Sequence, residues 1–434
     1  MQSNKPTVGF LSPQPYMEKA ISMMNERYNV HVLSPQGWEK EEVAAIVAEC
    51  HEQNIDAVAG FAQKDAFNHI LINEQLGNKA QSRLAFLYCM NKYLMRTIER
   101  DPFWFEAVDP LNQTDEEIIS KIAEWPFMLK NTSLSLGRGI FKIETADMLR
   151  EVLNSYRQDT ELQELIAFQN EHFSKGIDPK DMPPVLPPFI AEHLVDMNQA
   201  IEYCYEGYVT AEGEVVHYAL TEEVYFSNHQ ALGYLTPPLS INAEKATEIG
   251  AWAKDYMSRL ADLGYRNQFF NLEFWIMPDG KIALTEINPR AAHSYHYNYL
   301  YSFGTSLFED NLELVLSGQR LADSPWQKWV AGDDFKYTLI VLITSKQVDQ
   351  VSNVLDYGYV DHLEQEQGVL IRHNRQREEQ LSTEDMTAAG VMLLQLWISG
   401  DTAVELIAKE REIRSKIYKQ VPDDCQYPAY WVAE

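Results

Sequence analysis

The sequence predicts an α/β protein that becomes α+β in its C-terminal half. Three observations carry this. Short apolar runs alternate with amphipathic stretches over residues 1–85, as in a small parallel sheet. Later segments, above all around Glu212-Gly213 and Asp279-Gly280, read as extended pairs joined by turns. A chain of 434 residues with 45% hydrophobic content has room for several packed domains.

"TVGFL" (Thr7–Leu11) is a first strand, stopped by the turn "SPQP". Met17 to Glu26 is amphipathic, and "NVHVLS" is a second strand. "KEEVAAIVAECHEQN" places Val43, Ile46, Val47 and Cys50 on one helical face. "DAVAGF" is a third strand, followed by the helix "AFNHILINEQLG", which Gly77 closes. The first turn lacks G-x-G-x-x-G, so no dinucleotide site is expected there.

"RLAFLYCMNKYLMRTIER" reads as one strong helix, closed by "DPFWFEAVDP". "WPFMLKNTSLSLGRGIFKI" reads as strand, Gly/Ser-rich loop and strand. The prolines of "EHFSKGIDPKDMPPVLPPF" forbid continuous regular structure, so this is an exposed loop. "FIAEHL" is a strand, and "IEYCYEGYVTAEGEVVHYALTEEV" alternates like a hairpin. "AEKATEIGAWAKDYMSRLADLG" is a helix with Ile249, Trp252, Ala253, Tyr256 and Leu260 on one face. "FKYTLIVLITS" is an apolar strand. A helix over about Ala388 to Ser399 and a charged helix from Thr402 complete the expected elements.

With 64 acidic and 36 basic residues the formal charge is −28, a surface that repels nucleic acid and anionic lipid. No basic block offsets it, and no apolar run approaches the ~20 residues a membrane helix requires. Cys50, Cys89, Cys204 and Cys425 show no zinc spacing, and free thiols in a reducing compartment are expected. Residues 1–10 lack signal-peptide character, so a cytoplasmic location is expected.

The stretch "NLEFWIMPDGKIALTEINPR" (Asn271 to Arg290) concentrates the chemistry. A turn centred on Asp279-Gly280 pairs Pro278 with Lys281 and therefore Glu273 with Glu286. Directly opposed carboxylates destabilise a sheet, and Phe274, Trp275, Ile276, Leu284 and Ile287 add desolvation. A shared proton or a cation between them relieves the conflict. In an extended chain Asn288 and Arg290 share the face of Glu286. Two carboxylates, an amide and a guanidinium suit a metal together with a phosphate or a carboxylate.

"NLEFWI…GKIALTEINPR" resembles the metal-binding signature of ATP-grasp ligases, and the resemblance runs in order along most of the chain. "CMNKYLMR" resembles the helix that opens with a phosphate-contacting lysine, here Lys92. "PFMLKNTSLSLGRGI" resembles the strand whose lysine, Lys130, contacts nucleotide phosphates, and the glycine-rich loop with Ser133, Ser135, Gly137, Arg138 and Gly139. "FIAEHL" resembles the hinge strand, where Glu192 would meet the adenine amine and the backbone of His193 and Leu194 would pair with the ring. Glu202 is the candidate ribose contact. By the same resemblance Glu273, Glu286 and Asn288 would hold one or two Mg²⁺, with Mn²⁺ an alternative. Arg290 would be the catalytic cation at the phosphoryl group or acyl phosphate. The P-loop pattern is absent, so ATP needs a site of this other kind.

The resemblance implies an ATP-grasp fold with a Rossmann-like N-terminal domain. The expected divisions are an N-terminal α/β domain (1–85), a helical connection (86–125), a lid with the Gly-rich loop (126–195), a central metal-binding subdomain (196–328) and a small C-terminal subdomain (329–434). It implies cytoplasmic ADP-forming ligation of a carboxylate to an amine, both small molecules, in a family where homodimers are common. After "EINPR" the chain reads "AAHSYHYNY", without the Val-Glu-His stretch of biotin carboxylases. His293, Ser294 and His296 echo the purine-pathway carboxylases, while amino-acid and dipeptide ligases are the favoured neighbours. His293, Ser294, Tyr295 and His296 are candidate pocket residues. Glu222, Glu223 and Tyr225 are candidates to face a substrate amine. The alternatives are a related carboxylase or ligase acting on another small acid, and a non-catalytic ATP-binding protein of the same fold.

Overall fold

Three sheets organise the chain among the described residues. The computed structural model describes residues 5–37, 40–80, 82–134, 139–196, 200–227, 230–386 and 390–422. The first sheet holds β1 (Thr7–Leu11), β2 (Asn29–Leu33) and β3 (Ala57–Gly60), parallel and in the order β2-β1-β3. Parallel neighbours need crossovers, and the helices Glu18–Met24 and Lys40–Gln53 supply them. The face read from sequence is the buried one: Val43, Ile46, Val47 and Cys50 pack with Leu11, Leu33 and Val58.

The single helix expected from Arg83 is broken in two. Arg83–Met90 stops at Asn91, whose side chain accepts the backbone N–H groups of Tyr93 and Leu94 at 3.1 Å and caps a second helix, Lys92–Thr97. Asn competes for backbone donors, and here that competition makes a cap inside an apolar run. Lys92 therefore opens a helix, and its backbone N–H donates to Thr132 O at 2.9 Å.

"DPFWFEAVDP" does more than end a helix, because it carries β4 (Phe105–Val108). That strand edges an antiparallel sheet with β5 (Phe127–Asn131), β6 (Ile140–Ile143) and β7 (Phe189–His193), in the order β4-β7-β5-β6. Helices Ala146–Gln158 and Thr160–Ser174 lie against it through Leu149, Leu153, Tyr156 and Ile166. Between Gly176 and Pro188 the proline-rich segment has no helix or strand, as expected.

The large sheet has eight antiparallel strands in the order β12-β11-β8-β9-β10-β13-β15-β14. They are β8 (Ile201–Val209), β9 (Val215–Tyr225), β10 (Ala231–Thr236), β11 (Gln268–Ile276), β12 (Ile282–Asn288), β13 (Tyr337–Ser345), β14 (Val369–His373) and β15 (Val391–Gly400). Helix Ala243–Asp262 covers one face, through Ile249, Ala253, Tyr256 and Leu260. Helices His296–Phe303 and Leu307–Ser317 pack on the other, against Phe10 and Phe61 of the N-terminal sheet.

The helix expected over Ala388 to Ser399 is instead the strand β15. Leu393, Leu394, Leu396, Trp397 and Ile398 are all fully buried. A strand covered on both faces reads as an unbroken apolar run, which periodicity cannot separate from a buried helix. Through β15, the last hundred residues continue the central sheet. The charged helix Ala403–Ile417 is present, capped by Thr402 and Glu405.

Candidate active site

Glu273 and Glu286 are directly paired across β11 and β12, as the sequence predicts, but the path to that register differs. Met277, not Pro278, faces Lys281: Met277 N donates to Lys281 O at 2.9 Å. The loop is the three residues Pro278, Asp279 and Gly280, with Gly280 at φ +86° and its N–H donating to Met277 O at 2.8 Å. The left-handed glycine permits this three-residue turn. The resulting one-residue offset runs to Phe274–Leu284, where Thr285 bulges and restores Glu273 to Glu286. Two departures from simple pairing therefore offset each other.

Asn288 joins the carboxylates, its amide nitrogen donating to Glu273 Oε1 at 2.9 Å. Arg290 reaches the same place and donates to Asn288 Oδ1 at 3.3 Å. Its Nε is enclosed without a hydrogen-bond partner. Burial, reinforced by Glu286 and Glu202, pushes the Glu273 carboxyl up to about 7. Among the described residues no three His, Cys, Asp or Glu side chains form a ready metal cluster. The hairpin instead offers two carboxylates and one amide oxygen. That donor set suits a hard divalent ion whose shell water or phosphate oxygens complete.

Beside the hairpin is a cleft with an empty volume of about 690 Å³. Met128 and Lys130 of β5, Glu192 and His193 of β7, Leu194 and Val195 beyond it, and Trp275, Leu284 and Thr285 of the hairpin line it. Lys130 Nζ lies 2.6 Å from Glu192 Oε1, and Arg96 Nε lies 2.9 Å from Glu192 Oε2. Burial alone would raise the Glu192 carboxyl, but Arg96 and Lys130 prevail and hold it down at about 2. Arg96 also bridges to Glu99 at 2.7 Å. Lys92 Nζ donates to Leu134 O at 2.9 Å and lies 3.9 Å from Glu286 Oε1. Lys130 and Glu192 thus line the cleft, while Lys92 meets the hairpin acids at Glu286.

The remaining nucleotide-side expectations divide. The His193 backbone N–H donates to Trp104 O at 3.0 Å, so it is engaged inside the protein. Its ring stacks on Phe103 at 4.7 Å, with Nδ1 2.6 Å from Glu124 Oε2. Leu194 lies just past the end of β7. Ser133 hydroxyl donates to Asn170 Oδ1, and Gly139 has φ +67° at the edge of the glycine-rich loop. Ser135, Gly137 and Arg138 lie outside the described residues.

Glu202 and Glu223 belong to a second acidic group on the same sheet face. Both accept the Tyr225 hydroxyl, at 3.0 and 2.7 Å. Burial and their mutual repulsion push Glu202 up, and burial raises Glu223. Glu222 does not join them. Its neighbours in sequence face the site, so its own side chain faces the other way. There it accepts hydrogen bonds from Leu239 N, Ser240 N and Ser240 Oγ at 3.0, 3.0 and 2.6 Å. These bonds tie its carboxylate to the Leu239–Ser240 loop.

The four residues after the hairpin also divide. Tyr295 is buried beside Cys204, Tyr234 and Glu273. His293 Nδ1 bonds the Tyr16 hydroxyl, and burial together with Arg290 and Arg372 pulls it down to about 3, so the ring is neutral. Ser294 contributes its carbonyl, which accepts Trp397 Nε1 at 2.8 Å. His296 leaves the pocket: it is 1% exposed and stacks on Phe308 at 4.0 Å within the core. It lies on a helix that packs against the N-terminal sheet.

Several residues of the site carry no motif. Arg96 is legible in retrospect, four positions after Lys92 on a helix. Phe103 and Trp104 belong to a segment read only as a helix stop. Glu206, on β8, accepts the Ala292 backbone N–H and is pushed up to about 8 by burial. An isolated glutamate within a hairpin strand gives no signal of its own.

No family model and no curated protein matches the sequence. Solved structures match over nearly the whole chain at low identity. An L-amino acid ligase from Bacillus licheniformis superposes with a TM-score of 0.70 at 15% identity, covering 96% of this chain and 100% of that one. A biotin carboxylase from Campylobacter jejuni gives 0.63 at 12% identity, over 94% and 91%. An ADP-bound N5-carboxyaminoimidazole synthetase from Staphylococcus aureus gives 0.61 at 16%, over 94% and 96%. A parallel N-terminal sheet, an antiparallel sheet bearing the glycine-rich loop and a large sheet bearing the paired glutamates are together the architecture of ATP-grasp enzymes, and the chain has the ATP-grasp fold.

Proposed function

We propose that the chain is an ADP-forming ligase that activates a small carboxylate with ATP and joins it to an amine. The observation that carries this reading is the grouping of Glu273, Glu286, Asn288, Arg290 and Lys92 around a hairpin that also forms one wall of the cleft lined by Lys130 and Glu192. In the proposed reaction a carboxylate oxygen takes the γ-phosphoryl group of ATP and ADP leaves. The amine then attacks the acyl carbon, phosphate departs and the amine nitrogen loses a proton.

The purine base would lie between Met128, Trp275 and Leu284, near Glu192. Lys130 and Lys92 would offset triphosphate charge. Glu273, Glu286 and Asn288 would hold Mg²⁺, which neutralises phosphate charge when bound. The raised Glu273 supports this, because a divalent cation removes the conflict that burial and Glu286 create. Arg290 would stabilise the transferring phosphoryl group or hold the acid. The structural likeness to an L-amino acid ligase favours an amino acid among the substrates.

The test is an ADP-release screen with ATP and Mg²⁺, offering the amino acids singly and in pairs, with other small carboxylates as a second panel. Turnover that needs both an acid and an amine is expected. ATP binding without ADP formation across both panels would leave a nucleotide-binding protein. ADP formation that depends on bicarbonate would point to carboxylation instead.

A further inference from the structure

The hairpin supplies one guanidinium to the acid end of the face, and the C-terminal part of the sheet supplies another. Arg372 lies on β14, with its guanidinium carbon 5.0 Å from the centre of the Tyr16 ring. Tyr16 is pinned on several sides. Its hydroxyl bonds His293 Nδ1, its ring stacks on Trp397 at 5.3 Å, and its carbonyl accepts the Tyr297 hydroxyl at 2.8 Å. Trp397 in turn donates to Ser294 O at 2.8 Å. Tyr16 comes from the N-terminal region, His293 from the segment after the hairpin and Trp397 from β15. The seam of three regions therefore holds the ring that holds Arg372.

A guanidinium held over an aromatic ring by cation–π attraction keeps N–H groups for other partners. Among the described residues no carboxylate lies within ion-pair distance of Arg372 and no hydrogen bond engages it. That is unusual in a chain with 64 acidic and 36 basic residues. Arg27, Arg83, Arg96, Arg157, Arg320 and Arg377 all sit in ion pairs. Arg290 likewise has no carboxylate within ion-pair distance among the described residues, and both it and Arg372 act on His293 through their charge.

We infer that Arg372 binds a second carboxylate, one that is not phosphorylated, held opposite the group that Arg290 serves. This rests on the ligase reading for its reaction but not for its binding chemistry. Such a carboxylate has two sources. It belongs to the acid, as in a dicarboxylic acid, or to the amine, as in a free amino acid. Tyr16, His293 and Trp397 are positioning residues here, because they hold the guanidinium and carry no charge themselves.

The test is calorimetric titration of the full chain with two matched pairs of probes, succinate against propionate and L-alanine against L-alaninamide. Wild type, R372A and R372K are compared. At least one carboxylate-bearing probe should bind about tenfold or more tighter than its partner in wild type, a difference of about 1.4 kcal/mol. R372A should erase that advantage without weakening the partner, and R372K should restore part of it. An advantage in the succinate pair assigns the carboxylate to the acid, and one in the alanine pair assigns it to the amine. Equal weakening of all four probes by R372A would make Arg372 a prop for Tyr16 and overturn the inference. Absence of any carboxylate advantage in wild type would overturn it too. Titration with MgADP is read separately. If nucleotide fails to bind while the carboxylate advantage persists, the ligase reading falls and the carboxylate site stands.

Discussion

The two ends of the active face handle charge in opposite ways. Around the cleft the charges neutralise one another inside the protein: Glu192 holds Arg96 and Lys130, and Arg96 also holds Glu99. At the acid end Arg290 and Arg372 have no carboxylate within ion-pair distance among the described residues, and the histidine between their fields is neutral. The first end is stable before any ligand arrives. The second keeps unpaired positive charge in a protein whose net charge is −28, so an anion gains more there than at an ordinary surface arginine.

The largest expected effect lies where the two ends meet. Glu286→Ala should lower ADP formation about a thousandfold or more by removing half of the metal-binding pair. Normal turnover in that variant would remove the hairpin from the chemistry. Next, the two ends should respond oppositely to loss of charge. Glu192→Gln leaves two enclosed cations short of their anion and should cost about 3–5 kcal/mol of stability, read by calorimetric unfolding. Arg290→Met should lower turnover about a hundredfold while leaving the melting temperature unchanged or higher, since it removes a desolvated cation with no carboxylate partner. If Glu192→Gln melts like wild type, the contrast between the ends fails.

A smaller effect concerns pH. The folded-state value of Glu206, about 8, is above that of an unfolded glutamate, so the native protein binds the extra proton between the two values. Stability from this group is then lost as pH rises, at about 1.4 kcal/mol per unit, and the loss levels off above the folded value. Glu206→Gln should therefore gain on wild type in unfolding free energy from pH 5 to 8 and then run parallel. A constant difference across that range would show that Glu206 is ionised in the fold. Smallest, Glu222→Gln should cost about 1 kcal/mol of stability and leave kcat/KM unchanged, because its carboxylate holds the Leu239 and Ser240 N–H groups and the Ser240 hydroxyl.

What was legible in the sequence follows the same division. Lys92, Lys130, Glu192 and the hairpin acids stand in local patterns, and the structure brings them together. The register of Glu273 and Glu286 was legible only because a three-residue turn and a bulge at Thr285 offset each other. Neither has a mark in the sequence that pairing rules would use. Glu222 groups with Glu223 in sequence, but a one-residue step along a strand reverses the face. His296 groups with its neighbours in sequence, but the chain turns helical just after the hairpin and buries it in the core. Arg372 carries no pattern at all. Its place depends on β14 and β15 joining the central sheet, and β15 itself reads as helix.

The seam around Tyr16 also bears on how the protein is made. The residues of the nucleotide cleft, from Arg96 to Thr285, come from the middle of the chain. The acid end needs Tyr16 and Trp397, close to opposite ends of it. Contacts so distant in sequence are the slowest to form, because the long loop between them must close first. During synthesis the residues of the cleft are therefore all present well before those of the seam around Tyr16. A nascent chain released before β15 emerges would carry the residues of the cleft but none of the seam around Tyr16.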